Sequence, residues 1–322
     1  MSTSTPKIVV LGQIPEPGLD LLRTAGEVWV WTGDGTVPVD LRDSQLADAD
    51  AAVTLVPDQV DEHFLRASPR LGIVANVAVG YDNIDVAACT DLGIRVTNTP
   101  GVLTDATADL AMGLLLAVTR RLGEGERLIR SGGAWKWDMF MMLGSGLQGR
   151  RLGIVGLGGI GTAVATRARA FGMEIVYHNR SAVEAAVERR LDTRLVSADE
   201  LFATSDVVSL HCPHTAETHH LVDADALSSM RSSAFLINTA RGPIVDEAAL
   251  VDALRDGTIA GAALDVFEHE PEVHPGLLDL DNVVLIPHLG SATVETRTAM
   301  AELAARNVVA FLAGGQPPTP VN

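Results

Sequence analysis

The chain has 322 residues, 47% of them hydrophobic, and its 41 acidic and 24 basic side chains give a formal net charge of −17. This length predicts two domains, and the apolar content excludes a chain that is disordered throughout. Because so negative a surface repels phosphate backbones and anionic lipids, we expect neither nucleic acid nor membrane as a partner.

The cysteines and the N-terminal segment bear on the compartment. Cys89 and Cys212 are too few for a disulfide framework or a zinc cluster, and we expect no metal site. The start "MSTSTPKIVVLG" lacks the basic segment and apolar core of a signal peptide. The longest apolar stretch, residues 110–118, is too short to cross a bilayer. We therefore expect a cytoplasmic protein.

Short apolar runs recur along the chain, each followed by turn residues and a helical pattern. They cover two sets of segments: 7–12, 51–56 and 71–77, and then 151–158, 174–179, 206–212, 234–240, 261–267 and 282–288. Unalternated runs of this length are typical of parallel strands that are buried on both faces. Strands that alternate with helices predict an α/β fold with doubly wound parallel sheets.

Two helical segments organise the domains. Residues 104–122 are apolar nearly all round, which indicates a helix covered on every side, between domains or at a subunit interface. A second long helix follows His288 and ends near Gly314 and Gly315. We therefore predict a dinucleotide-binding domain over residues 104–288. Residues 1–103 together with 289–322 would form the substrate-binding domain.

The segment "GIVGLGGIG" carries the spacing of a dinucleotide-binding turn. Gly156 allows the tight turn, Gly158 lets the backbone approach a pyrophosphate, and Gly161 lets helix and strand pack closely. The helix start, with Gly159 and Ile160, presents free N–H groups to the phosphates. The other interpretation is an ordinary tight turn between a strand and a helix.

The next strand ends in "HNRS", where NAD-binding folds usually carry an acidic residue for the ribose hydroxyls. Asn179, Arg180 and Ser181 stand there instead. An arginine between two small hydrogen-bonding residues suits a 2′-phosphate, to which His178 would add a contact. We therefore expect NADP(H) to be preferred and NAD(H) to be the second option. The alternative is a solvated loop arginine.

Three ionisable residues follow strands of the second set: Arg241, Glu270 and His288. Because ligands of open α/β sheets bind outside the carboxyl ends of the strands, these side chains can share one crevice. An arginine clamps a carboxylate, a histidine donates a proton at neutral pH, and a carboxylate fixes the tautomer of that histidine. Taken singly, each also fits a surface charge or a strand-end cap.

Together these residues belong to motifs that resemble the D-isomer-specific 2-hydroxyacid dehydrogenase family. The resemblance covers nearly the whole chain and rests on six segments in order: "VGYDNID" (79–85), "TDATADLAMGLLLA" (104–117), "GIVGLGGIG" (153–161), "NTARGPIVDEAALVDAL" (238–254), "ALDVFEHEP" (263–271) and "PHLGSAT" (287–293). It implies a Rossmann-type nucleotide domain inserted in a flavodoxin-like substrate domain, and a homodimer.

The resemblance also implies roles for individual residues. His288 would be the acid/base, Glu270 would support it, and Arg241 would bind the substrate carboxylate and carbonyl. The backbone of Val79 and Gly80 would hold the same carboxylate, with Leu55 nearby. Asp265 would orient the nicotinamide carboxamide, and further residues would line the cofactor cleft: Thr107, Cys212, Pro213, Thr218, Thr239, Ala240 and Gly290.

Within the family, "SGGAWKWDMFMMLGSGLQGRRLGIVGLG" is similar to glyoxylate/hydroxypyruvate reductases. These commonly carry an Asn-Arg-Ser type sequence and prefer NADPH. Gly159 stands where the family usually has Arg, and residues 138–144 replace a proline expected after Trp137. If this Met-rich loop lines the pocket, it favours a substrate side chain other than a bare hydroxymethyl.

The implied activity is reduction of small 2-oxo acids to D-2-hydroxy acids, with a nicotinamide as hydride donor and His288 as proton donor. Three alternatives remain: a nucleotide-sensing protein like the corepressors of this fold, a formate or phosphite dehydrogenase, and a dehydrogenase for a larger or doubly anionic 2-oxo acid. Glu270 argues against formate, because formate dehydrogenases replace that residue. A phosphite dehydrogenase would need an additional cation in the substrate loop, and residues 76–83 contain none.

Overall fold

The structure is a computed structural model that describes residues 5–322. The N-terminal segment, in which we expect no signal peptide, lies partly outside the described residues, since its first four residues are not included. The described chain divides into two units. One unit contains the residues up to Leu103 together with Ser291–Asn322, and the other is Thr104–Gly290. Among the described residues, no helix is both long and apolar enough to cross a membrane.

The first unit is a five-stranded parallel sheet with helices on both faces. Its elements are β1 (Lys7–Val10), α1 (Glu16–Arg23), β2 (Glu27–Val30), α2 (Val39–Leu46), β3 (Ala51–Thr54), α3 (Glu62–Arg66), β4 (Ile73–Asn76), α4 (Val86–Asp91), β5 (Arg95–Thr97) and, from the end of the chain, α13 (Val294–Leu312). The strand order β2-β1-β3-β4-β5 is that of flavodoxin-like folds.

Alternate side chains of β1, β2, β3 and β4 enter two cores. On β1, Val9 packs in one core, while Ile8 and Val10 pack in the other, which α13 covers. Gly18 of α1 allows this cover, because a Cβ there would lie 2.8 Å from the Cβ of Ala301. The unalternated apolar runs therefore lie in strands buried on both faces, as predicted.

The second unit is a six-stranded parallel sheet, again between two layers of helices. Its elements are α5 (Thr104–Thr119), α6 (Leu122–Arg130), β6 (Arg151–Val155), α7 (Gly159–Ala170), β7 (Glu174–His178), α8 (Ala185–Leu191), α9 (Ala198–Thr204), β8 (Val207–Leu210), α10 (Ala224–Ser229), β9 (Phe235–Asn238), a 3₁₀ turn (Gly242–Ile244), α11 (Glu247–Arg255), β10 (Gly261–Leu264), α12 (Pro275–Leu278) and β11 (Val283–Leu285).

The strand order of this sheet is β11-β10-β9-β8-β6-β7. A single parallel bridge from Leu195 to Tyr177 lies beyond β7, where a Rossmann fold has its third strand. The order reverses between β6 and β8, which is the switch point at which such sheets bind their ligand. The prediction of two doubly wound parallel sheets, the nucleotide sheet being of Rossmann type, is confirmed.

Three details of the sequence prediction were wrong. The strands are shorter than the apolar runs, and β2 and β5 were not predicted, since they have only four and three residues. The helix predicted over 104–122 ends at Thr119. Arg121 then takes a left-handed conformation, with φ 55°, from which α6 starts in a new direction.

Candidate active site

The glycine turn joins β6 to α7 with the geometry that the sequence predicted. Gly156 has φ 95°, and a Cβ there would lie 2.5 Å from the backbone N of Cys212. A Cβ on Gly161 would lie 2.3 Å from the carbonyl O of Gly156, whereas one on Gly158 would meet nothing within 4 Å. Gly156 and Gly161 thus allow close packing, and Gly158 borders open space at the start of α7, where Gly159 and Ile160 carry the first N–H groups. This cradle fits a dinucleotide pyrophosphate.

The end of β7 differs in part from what the sequence predicted. The side-chain Oδ1 of Asn179 accepts a hydrogen bond from the N–H of Leu157 (2.7 Å), so Asn179 braces the glycine turn from inside. The Nδ1 of His178 lies 3.0 Å from the carbonyl O of Val196. Arg180 and Ser181 are exposed. Of the residues proposed for a 2′-phosphate, Arg180 and Ser181 are therefore the ones that point outward.

Arg180 has an acidic neighbour that the sequence did not indicate. A hydrogen bond from Thr215 is the main reason that the pKa of Glu217 lies below its usual value, and the positive charge of Arg180 lowers it further. Glu217 belongs to the loop after β8, so this loop and the end of β7 lie close together. The negative charge of Glu217 therefore lies within the electrostatic reach of Arg180.

The loop after β8 is closed by its own side chains. Thr218 Oγ1 donates to the carbonyl O of Pro213 (2.8 Å) and accepts from the N–H of Thr215 (2.8 Å). Burial raises the pKa of Cys212 to about 11, so its thiol stays protonated and is no nucleophile. Cys212, Pro213 and Thr218 therefore shape the loop wall beside the glycine turn, and their contact with a cofactor stays a prediction.

A histidine that the sequence analysis missed lies at the same switch point. The Nε2 of His211 is 2.8 Å from Ser209 Oγ, and its Nδ1 is 3.5 Å from Thr239 Oγ1. Burial lowers the pKa of His211 to about 4, so the ring is neutral at physiological pH. It links β8 to the segment after β9. Next to it, Ala240 donates its N–H to Asn238 Oδ1 (3.0 Å).

The pair expected to perform acid/base chemistry is formed. Nδ1 of His288 lies 2.8 Å from Oε2 of Glu270, and Oε1 of Glu270 accepts from the N–H of Phe267 (3.0 Å). Burial raises the pKa of Glu270, but the hydrogen bond and positive charge of His288 outweigh it, and the pKa lies below its usual value. The carboxylate thus stays ionised and fixes the ring, which leaves Nε2 for proton exchange with a substrate.

Arg241 is brought to the same edge of the sheet. It follows β9 in an extended conformation, and its Nη1 donates to the carbonyl O of Ala240 (2.8 Å). A Cβ on Gly242 would lie 1.8 Å from the carbonyl O of Phe267, so only glycine lets this segment lie against the one leading to Glu270. The charge of Arg241 also helps to lower the pKa of Glu270. Glu270 and His288 therefore pair beyond β10 and β11, and Arg241 follows β9, the next strand of the sheet.

Asp265 holds the turn that carries His288. Its Oδ1 and Oδ2 accept from the backbone N–H of Leu289 (2.5 Å) and Gly290 (2.9 Å), and its carbonyl accepts from the N–H of His288 (2.8 Å). Thr107 Oγ1 donates to the carbonyl of Gly290 (3.1 Å). Burial raises the pKa of Asp265, although these amides oppose it. The structure thus ties together three residues that were predicted to contact cofactor, and a nicotinamide contact stays a prediction for each.

The predicted substrate residues of the first unit lie at one edge of its own sheet. Leu55 follows β3, and Val79 and Gly80 follow β4, its neighbour in the sheet. No group of three or more His, Cys, Asp or Glu side chains in the described part of the chain is arranged to hold a metal ion. The described sites thus comprise a dinucleotide cradle with an Arg–Glu–His set, and a pair of loops in the other unit.

These features are typical of nicotinamide-dependent dehydrogenases, and comparison with known proteins gives the family. Residues 112–290 match the model described as D-isomer specific 2-hydroxyacid dehydrogenase, NAD binding domain. The chain belongs to this family, as its motifs predicted, and this part of it is the NAD binding domain.

Full-length relatives agree. A glyoxylate reductase of Thermococcus onnurineus is 49% identical over 98% of this chain and 96% of its own length. A crystal structure of a Thermus thermophilus protein has a TM-score of 0.92 with 44% identity and covers 98% of this chain and 100% of its own. An NADPH-dependent glyoxylate/hydroxypyruvate reductase of Sinorhizobium meliloti, in complex with NADP and malonate, has a TM-score of 0.86 with 40% identity, over 99% of this chain and 97% of its own.

Proposed function

We propose that this protein reduces small 2-oxo acids, of the glyoxylate and hydroxypyruvate type, to D-2-hydroxy acids. The observation that carries the proposal is the 2.8 Å contact between His288 and Glu270, at the strand ends where Arg241 also lies. The names of the relatives support it: several are glyoxylate reductases at 46–49% identity. None of these names favours a corepressor, a formate dehydrogenase or a phosphite dehydrogenase.

The residues of the chain divide the chemistry among them. A bound nicotinamide dinucleotide supplies the hydride that adds to the carbonyl carbon. Arg241 binds the substrate carboxylate and polarises the carbonyl oxygen with its planar fork of donors. His288 gives the proton on Nε2 to that oxygen, and the carboxylate of Glu270 stabilises the imidazolium before the transfer.

We place the remaining contacts on the loops of the first unit and on the glycine turn. Leu55 borders the substrate, and the backbone N–H groups of Val79 and Gly80 bind its carboxylate. The cofactor pyrophosphate lies at the start of α7, on the N–H groups of residues 158–161. Asp265, with Thr107 and Gly290, keeps the turn of His288 in place, and Asp265 would orient the carboxamide of a bound nicotinamide.

Initial rates test this proposal directly. Purified protein is given glyoxylate, hydroxypyruvate, pyruvate and bulkier or doubly anionic 2-oxo acids, each with NADPH and with NADH. We expect the highest kcat/KM with glyoxylate or hydroxypyruvate. If a doubly anionic or larger acid is clearly preferred, the substrate assignment is wrong while the reaction class stands.

NADPH is the preferred cofactor in this proposal, because Arg180 replaces the usual acid at the end of β7. Arg180→Ala is expected to raise KM for NADPH roughly 10- to 100-fold, since a hydrogen bond to a charged group contributes about 1.5–3 kcal/mol. KM for NADH should hardly change, because that cofactor has no 2′-phosphate. Steady-state kinetics with both cofactors measures the split.

Arg66→Ala is the matched control, since Arg66 is an exposed arginine of α3 in the other unit and its loss changes the net charge equally. Equal effects of Arg180→Ala on both cofactors would return Arg180 to the solvated surface. Glu217→Gln adds a check in the opposite direction, because removal of a negative charge near Arg180 should lower KM for NADPH.

We also propose a homodimer, in which a second copy covers the apolar surface formed by α6 and residues 131–146. None of the residues of α6 is buried, although Leu122 and Ile129 are apolar and more than half exposed. In the following loop, Trp137 is 71% and Phe140 is 82% exposed. Several large apolar side chains exposed on one helix and the loop after it favour a protein interface there.

Aspartate in this surface is expected to give monomers. Light scattering after size exclusion should show a dimer for the wild type and a monomer for a variant with both Ile129→Asp and Phe140→Asp. Val294→Asp is the control, since Val294 is 81% exposed at the start of α13 and lies outside the surface. A wild type that is monomeric at micromolar concentration contradicts the proposal.

A further inference from the structure

A buried amide lies beneath the two loops that follow β3 and β4. Asn76, the last residue of β4, has no exposed surface. Its Oδ1 accepts from Thr54 Oγ1 (2.9 Å). Its Nδ2 donates to the carbonyl O of Gly80 (2.9 Å) and to Oδ1 of Asn83 (3.1 Å). This side chain needs both an acceptor and a donor end, which an amide of this size provides at any pH and an ionised carboxylate does not.

The network continues from Asn83 to the loop after β3. Nδ2 of Asn83 donates to the carbonyl O of Asp58 (2.8 Å) and more weakly to that of Leu55 (3.2 Å). Oδ2 of Asp58 accepts from the N–H of Leu55 (2.7 Å). Burial raises the pKa of Asp58 to about 6, against the effect of that N–H. The loop with Leu55 and the loop with Gly80 are therefore joined through two asparagines and one aspartate.

Three hydrogen bonds determine which way the peptides of the loop after β4 face. The carbonyl of Ala78 accepts from the N–H of Thr99 (2.8 Å), and that of Val79 accepts from Nδ2 of Asn98 (2.8 Å). With the bond from Asn76 to Gly80, three consecutive carbonyls are held by the protein. In a planar trans peptide the N–H points opposite to the C=O. The N–H groups of the next residues, 79, 80 and 81, are thus turned away from these partners.

Successive outward N–H groups in a loop form a binding site for an anionic oxygen. We propose that Asn76 is a positioning residue for substrate recognition. Its bond to the carbonyl of Gly80 fixes the peptide between residues 80 and 81 and so anchors the end of the loop, whose two preceding peptides carry the N–H groups of Val79 and Gly80 that face the substrate carboxylate. Through Asn83 and Asp58, Asn76 also sets the place of Leu55. This inference rests on the proposed function of the two loops. The inference gives three buried polar residues, Asn76, Asn83 and Asp58, an indirect role in binding the 2-oxo acid.

Asn76→Asp tests the donor end of the amide. At about pH 8 an ionised carboxylate cannot donate to the carbonyl of Gly80 and places a charge behind the amides. KM for hydroxypyruvate should rise about tenfold or more, which corresponds to about 1.4 kcal/mol. kcat should change less, and KM for NADPH should not change. At about pH 5.5 the buried carboxyl is protonated, its O–H can donate to Gly80, and the ratio of variant to wild-type KM should fall.

Two further variants separate positioning from mere stability. Asn76→Ala removes the amide without a titrating group, so its KM ratio should be raised and should not fall at the lower pH as that of Asn76→Asp does. Asp58, whose pKa of about 6 lies between the two pH values, titrates in the wild type and in Asn76→Ala as well, so Asn76→Ala shows the pH dependence that Asp58 alone contributes. Ser68→Ala removes another buried hydrogen bond of this unit, from Ser68 Oγ to the carbonyl of Phe64, and should leave KM unchanged. A readout without substrate is hydrogen exchange of residues 77–83, which should be faster in Asn76→Ala than in the wild type or in Ser68→Ala.

The outcomes are distinct. If the wild type reduces 2-oxo acids but the KM ratio of Asn76→Asp stays near one, or stays raised equally at both pH values, the inference is overturned. Unchanged exchange over residues 77–83 in Asn76→Ala overturns it as well. If the wild type reduces no 2-oxo acid, the proposed function fails by itself, and the exchange experiment still decides whether Asn76 holds the loop.

Discussion

His288→Gln is expected to lower kcat by about 10²- to 10⁴-fold, the range that a positioned general acid contributes. Glutamine can keep a hydrogen bond to Glu270, which now lies 2.8 Å from the ring, but it has no proton to give at neutral pH. The cofactor cradle at residues 156–161 is formed by other segments, so the dissociation constant for NADPH should be unchanged. Turnover with hydroxypyruvate and a fluorescence titration with NADPH measure the two quantities.

The control for this substitution is His63→Gln. His63 is a largely exposed histidine of α3, paired with Asp43, and the same change there should leave kcat unaltered. Near-normal turnover of His288→Gln would remove the acid/base role from this residue. Parallel loss of turnover and NADPH binding would show that the turn, and not the proton, had been lost.

Arg241→Lys is expected to lower kcat/KM for 2-oxo acids roughly 10- to 100-fold, because a lysine loses at least one charge-assisted hydrogen bond of about 1.5–3 kcal/mol. The positive charge stays, but an ammonium group cannot present two parallel donors to a carboxylate. Most of the loss should appear as a higher KM for the 2-oxo acid. KM for NADPH should not change.

Arg231→Lys serves as the matched control. Arg231 lies a few residues before β9, at the opposite end of the same strand from Arg241, and pairs with Asp206 on the surface. Its replacement should change kcat/KM little. If the two lysine variants behave alike, Arg241 is only a structural cation.

The fold was predictable because local and tertiary preferences agree. Apolar runs such as those of β1, β3 and β6 are buried on both faces, and the glycine pattern after β6 leaves few alternatives to a dinucleotide-binding turn. β2 and β5 escaped notice because they are short. The break at Arg121 depends on a left-handed backbone at a residue with no preference for it.

The site was predictable only in part. Motifs predicted that Arg241, Glu270 and His288 would share one site. The structure pairs Glu270 with His288 and places Arg241 after the neighbouring strand, and their roles in the reaction stay predictions. Motifs do not show which groups a side chain has as hydrogen-bond partners. Asn179 bonds to the backbone of the glycine turn, Thr218 bonds within its own loop, and Asp265 bonds to the backbone beside His288.

The buried partners were invisible for the same reason. His211 gains its role from Ser209 and Thr239, and Asn76 gains its role from a neighbouring strand and a later loop. Such contacts depend on tertiary structure. A single sequence carries no local signal for them, because an asparagine at the end of a strand is most often a turn residue.

In the proposed reaction, a 2-oxo acid receives a hydride from the bound nicotinamide and a proton from His288, with one stereochemical outcome. The most direct measurement is chiral chromatography of the product formed from hydroxypyruvate and NADPH, with wild type and His288→Gln side by side. We expect D-glycerate as the single enantiomer from the wild type, at a rate that far exceeds that of the variant. L-glycerate, a racemate, or no glycerate from the wild type would contradict this expectation.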